Sequence, residues 1–191
     1  ERRMVGHYGG GMLEPDFNRE QELEAAFGEE RLQHFVSSHY LELMSYGAKS
    51  ADRRIASEVR RLGRELQVPE VEMLLGMHWR PRVMGAWFAI AASDDTLSEA
   101  VHNSLETSLG HLTSPPLIVG VLTYPNERTL DLLLDYARAD RDMGWGASGF
   151  AVAAAARLDG DLVNRQAELE STGDDARRLE ALLKFASKLR T

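Results

Sequence analysis

The chain contains no cysteine. That excludes disulfides, thiolate catalysis and cysteine-ligated metal sites, and it leaves no mark of an oxidising compartment. Lysine is scarce: of 22 basic residues only Lys49, Lys184 and Lys188 are lysines, the rest being arginine. No apolar run comes near the ~20 residues of a membrane-spanning helix. The first residues, ERRMVGHYGGGML, lack the apolar core of a secretory leader. A cytoplasmic location without a membrane partner is therefore expected. Catalytic signatures are missing too. There is no GxxxxGK[ST], no HExxH and no GxSxG, and GASGF around Ser148 falls one residue short of the last.

The 191 residues suit one domain, and a hydrophobic share of 43% is enough for one core. The formal net charge of -8 disfavours general nucleic-acid binding, which needs a basic face to displace counterions. It favours a soluble chain or one with a basic partner. The charge is uneven. Residues 49–64 carry six bases and two acids, whereas residues 93–142 carry nine acids and three arginines.

Apolar residues step by three and four along most of the chain, which marks helices. After a flexible start at 1–13, one helix is expected from Asp16 to Gly28 and a second over EERLQHFVSSHYLELMSYG. Ser50 or Asp52 can cap a third, whose arginines at 53, 54, 60, 61 and 64 ride on the solvent face. Pro69 opens a short helix, and Pro81 fits the first helical position of the next. SPPLIVGVLTYP is apolar enough for a buried strand, but Ser114-Pro115-Pro116 is a helix start and no partner strand exists. Helices are also expected over NERTLDLLLDYARADRD, MGWGASGFAVAAAARLDGD, DLVNRQAELESTG and DDARRLEALLKFASKLR. The class is all-α, one domain over 14–191.

Trp79 and Trp145 lie 66 residues apart, twice 33. At that offset GAWFAIAA (85–92) meets AVAAAARL (151–158), and Asp95 meets Asp161. A period near 33 is typical of helical hairpins that stack because none buries its apolar face alone. The pattern resembles HEAT-like α-solenoids. That resemblance implies a right-handed stack of antiparallel hairpins, here with an N-terminal helical extension. In that group an aspartate at the turn and an arginine in the second helix link neighbouring repeats. Arg82 stands in the arginine's position, and Ser148 in the corresponding place of the second unit. VSSHYLELMSYG, WRPRVMGAWFAIA and the segment from Tyr124 to Asp161 also resemble an uncharacterised bacterial, actinobacterial-type family of unknown function. That likeness implies a fold but no catalytic residue.

The six histidines do not fall at ligand spacing, so neither metal nor cofactor is expected. The paired carboxylates Asp94-Asp95, Asp140/Asp142 and Asp159/Asp161 fall at helix ends, where aspartate caps. If all turns reach one edge, Asp94, Asp95, Asp140, Asp142, Asp159 and Asp161 form an acidic rim beside Trp79, Arg82 and Trp145. Aromatic and acidic groups together suit docking of a basic protein. The expected function is non-enzymatic protein binding, most specifically an acidic immunity protein that neutralises a basic bacterial toxin. Two alternatives stand beside it: a small-molecule enzyme using the carboxylates, and a nucleic-acid or adaptor solenoid using the 53–64 arginines. The repeat also implies that Trp79 and Arg82 close the core.

Overall fold

The computed structural model describes residues 17–108, 110–159, 161 and 169–191. The start at 1–13 and most of the helix expected over 161–173 lie outside them. Every regular element among the described residues is helical.

Helix α1 (Phe17–Phe27) stops at Gly28, whose φ of 89° lies in the left-handed region. The continuous helix expected over 29–47 is not formed. Helix α2 (Glu29–Leu32) widens into a π-helical turn (Gln33–Ser37), the chain breaks at Ser38-His39, and α3 (Tyr40–Leu43) follows. A tertiary bond follows the break. Ser45, at φ 52°, donates its N–H to the Leu112 carbonyl at 2.8 Å, so this loop is tied to a distant turn. Local periodicity could not register that bond.

Helix α4 (Arg53–Glu65) is capped by Asp52, which accepts from the Ile55 N–H at 2.9 Å. Helix α5 (Val68–Gly76) opens with a reciprocal cap between Gln67 and Glu70. Helix α6 (Trp79–Ala92) begins two residues before Pro81, which still sits in the first turn where its missing N–H costs nothing. It ends at Ser93 in the left-handed conformation. Then come α7 (Ser98–Glu106), α8 (Ser114–Thr123), α9 (Thr129–Met143), α10 (Ser148–Leu158) and α11 (Gly173–Arg190). The apolar stretch at 115–124 is thus a helix, opened by its two prolines.

Three hairpins, α5/α6, α7/α8 and α9/α10, carry the body. Their first helices pack in sequence, α5 on α7 on α9, and so do their second helices, α6 on α8 on α10. Small residues set the spacing. A Cβ on Gly85 would stand 3.0 Å from the Leu74 Cβ, and one on Gly120 would stand 2.8 Å from Val101 Cγ1. Helix α4 extends the inner layer beside α6.

Helix α11 then lies across α4, α6, α8 and α10. In a strictly nearest-neighbour stack a terminal helix would touch only the last hairpin. Here Leu179, Leu182, Phe185, Ala186 and Leu189 are buried against the inner layer, and the Phe185 ring meets Trp87 edge-on at 5.0 Å. The inner helices are therefore covered on both sides. That accounts for their lack of a polar face: ten residues of α6, from Pro81 and Val83 to Ala91, are buried.

Candidate functional site

The hairpins give the molecule two edges. At the turn edge, outer helices end and inner helices begin. The segment 39–46 crosses all three turns there. The Tyr40 ring meets Trp79 at 5.5 Å, Ser45 bonds Leu112, and the Tyr46 ring meets Phe150 at 5.2 Å. The opposite edge holds the connections from one hairpin to the next.

Trp79 neither closes the core nor stands free. It is half-buried, edge-on to Tyr40, with the exposed Arg80 guanidinium 4.6 Å from its ring centre and 5.4 Å from that of Tyr40. Arg82 does link neighbouring hairpins. Its Nε donates to the Met77 carbonyl at 2.9 Å and its Nη1 to the Thr107 carbonyl at 3.0 Å, joining the first turn to the second. Those bonds hold Arg82 in the fold, not out toward a partner.

Asp140 does not stand on an acidic rim. It is 0% exposed. Its Oδ1 accepts from the N–H groups of Ala147 at 2.7 Å and Ser148 at 2.6 Å, at the N-terminus of α10, where the helix dipole favours an anion. Tyr136 donates to its other oxygen at 3.3 Å, and the Ser148 hydroxyl bonds the Ala137 carbonyl at 2.8 Å. Asp140 and Ser148 thus lock the third hairpin. Where the first hairpin uses an arginine, the third uses a buried carboxylate.

Asp142 is exposed and paired with Arg141 at 3.2 Å. Trp145 is half-buried, and its carbonyl accepts from His111 Nδ1 at 3.1 Å. Trp79, Asp142 and Trp145 therefore share the turn edge. Asp94, Asp95 and Asp161 follow the ends of inner helices and lie at the opposite edge. The 14 residues of α6 separate Trp79 from Asp94 by about 20 Å. Asp94 accepts from the Thr96 hydroxyl at 2.6 Å and its N–H at 2.9 Å, and these bonds hold its carboxyl below the usual range. Asp95 and Asp161 are exposed. The expected aspartates and tryptophans do not form one site.

No family model, no curated protein and no solved structure matches this chain. The reading of the site accordingly rests on its own residues.

The turn edge carries apolar groups that periodicity overlooked. Leu41 is 62% exposed and Met143 60% exposed, beside the half-buried Tyr40 and Trp145. The signal was that both stand off the apolar face of their helices. From this edge the outer helices run with exposed acids: Glu99 and Glu106 on α7, and Asp131, Asp135 and Asp142 on α9. Arg128 bridges Glu99 and Glu106 at 3.1 and 3.2 Å.

The polar groups of the interior serve one another. His102 is fully buried, with Nδ1 2.7 Å from the Ser98 carbonyl and Nε2 2.8 Å from the Thr129 hydroxyl. Ser114 pairs with the Tyr136 hydroxyl and donates to the Gly110 carbonyl at 2.6 Å. Burial pushes the Tyr136 phenol well above its ordinary range. Among the described residues no three His, Asp or Glu side chains gather as metal ligands.

Proposed function

We propose that this chain is a protein-binding module of the HEAT-like type. Its docking surface is the turn edge together with the adjoining outer faces of α7 and α9. Its partner is a basic protein domain, most specifically a cationic toxin that it neutralises as an immunity protein. The stacking reading is supported by the sequential packing of first helices on first helices and second on second. The binding reading rests on one observation above all: among the described residues, the two most exposed large apolar side chains, Leu41 and Met143, both stand on the edge lined by Tyr40, Trp79 and Trp145. Apolar and aromatic groups ringed by charge are what a binding centre needs. Asp142, Asp135 and Asp131 continue that edge with the sign a basic partner fits. The carboxylate-enzyme alternative has less to rest on, because the paired aspartates act as caps at separate edges and Asp140 is occupied by two N–H groups.

The test is calorimetry of the chain against the product of the neighbouring gene, with Leu41→Glu and Met143→Glu as probes. Both sites are exposed, so the folded state tolerates the change. Each substitution is expected to weaken binding about 30-fold or more, the loss typical of a binding hot spot. Unchanged affinity in both variants would remove the turn edge from the interface. No binding, and no protection on co-expression, would remove the immunity reading.

A further inference from the structure

The chain is acidic, yet its bases are not spread evenly over it. Residues 49–65 and 173–190 hold eleven bases and six acids; the rest of the chain holds eleven bases and twenty-four acids. The fold brings these two stretches together, since α11 packs on α4 and on the turn at Gly47–Ser50. The helices run in the same direction. Arg178 near the start of α11 lies over Tyr46, just before α4, while Phe185 reaches Trp87 and Gly63 of α4 reaches Phe88 and Ala91.

Their cations are in matching register. Arg53, Arg60 and Arg64 on α4, and Arg177, Lys184 and Lys188 on α11, each follow the spacing i, i+7, i+11. Each set is one stripe along its helix, about 16 Å long. The two stripes lie on neighbouring helices that pack together.

All of these cations but Arg177 are also uncompensated. The carboxylates of the two helices are taken: Glu58 and Glu65 by Arg61, Glu180 by Arg157, Asp174 by Arg177, and Asp175 by Arg178 at 3.8 Å. Among the described residues Arg53, Arg60, Arg64, Lys184 and Lys188 have no ion pair. Five unpaired cations on two neighbouring helices make a basic area on a chain with surplus acid.

We propose that the cationic rows on the neighbouring helices α4 and α11 form a second docking surface, for a carboxylate-rich protein segment. Two features favour such a segment over a nucleic acid. The rows are short, so a long polyanion would run off onto the acidic remainder of the surface and be repelled. The rows also hold no aromatic residue on which a base could stack. The surface is separate from the turn edge and does not depend on the reading given to that edge.

A labelled glutamate homopeptide of about 20 residues serves as the probe, with an oligonucleotide of equal charge beside it, both followed by fluorescence anisotropy. The intact chain is expected to bind the peptide at about 50 mM salt and to lose it as salt rises. The doubles Arg60→Glu/Arg64→Glu and Lys184→Glu/Lys188→Glu are each expected to weaken binding about tenfold, with the helical circular dichroism and its melting unchanged. Leu41→Glu/Met143→Glu should leave peptide binding intact, which separates this surface from the turn edge. Failure of the intact chain to bind the peptide overturns the proposal. So does indifference to both charge reversals, or tighter binding of the oligonucleotide than of the peptide.

Discussion

Trp87 and Phe185 stand edge to face at 5.0 Å, 98 positions apart in the chain. Trp87 also donates its indole N–H to the Leu43 carbonyl at 3.1 Å. One side chain thus joins the segment at the turn edge, the central inner helix and the C-terminal helix. Both rings are buried. The inner face of a helical stack is commonly a binding surface. Here the chain's own last helix fills it, which leaves the edges and outer faces to partners.

Phe185→Ala removes that ring from a site with no solvent access. The lost transfer energy and the cavity together are expected to cost about 3–5 kcal/mol. Urea unfolding followed by tryptophan emission measures it. A loss under about 1 kcal/mol would mean that α11 is not an integral part of the core.

Gly63→Ala sets two effects against each other. In an exposed helix the change would stabilise by about 1 kcal/mol. At Gly63 the new Cβ would stand 2.7 Å from the Ala91 Cβ and 3.3 Å from the Phe88 Cα. Those atoms belong to a packed helix and cannot swing aside, so overpacking of about 1–3 kcal/mol wins. A lowered melting midpoint is expected, and a raised one would refute the close α4–α6 contact.

Asp140→Ala strands two N–H groups at the start of α10 and opens a polar void. A loss of about 3–5 kcal/mol is expected. Asp140→Asn keeps one acceptor oxygen for those N–H groups and should lose roughly half as much. If both variants melt like the parent yet abolish partner binding, Asp140 acts in recognition and not as a buried cap.

Tyr124 gives an alkaline signature. Burial pushes its phenol from the ordinary 10.0 up to about 12. The unfolded chain therefore releases this proton at lower pH than the folded one. The stabilisation is whole below pH 10 and is lost as pH rises toward about 12, by roughly 2–3 kcal/mol in all. Tyr124→Phe forfeits the hydroxyl's 2.6 Å bond to the Ala89 carbonyl, so it is less stable at pH 7. Its stability should also fall less steeply between pH 10 and 12. An alkaline limb as steep as the parent's would assign the loss to other groups.

The apolar spacing in 53–66, 97–105 and 130–137 shows the helices outright, because a period near 3.6 needs no neighbour to be recognised. The cap at Asp52 was equally plain. The small residues of 85–92 and 151–155 identified the inner layer, since only close-packed helices need them. The edges were misassigned. Asp94 and Asp95 follow an inner helix, whereas Asp140 and Asp142 end an outer one, so the two pairs sit a helix length apart. That alternation could have been read from the order of elements alone. The tie from Ser45 to Leu112 could not, because its partners lie 67 positions apart.

By itself, then, the sequence determined the helical class, the pairing of polar outer helices with small-residue inner ones, and the helix ends at Gly28 and Asp52. Each of those follows from interactions within about four residues. The tertiary structure alone decided that Asp140 is buried, that Arg82 bonds the next hairpin, that Leu41 and Met143 are left exposed, and that α11 covers the inner layer beside α4. Those outcomes depend on which distant surfaces meet, and a residue's own neighbours along the chain carry no record of that.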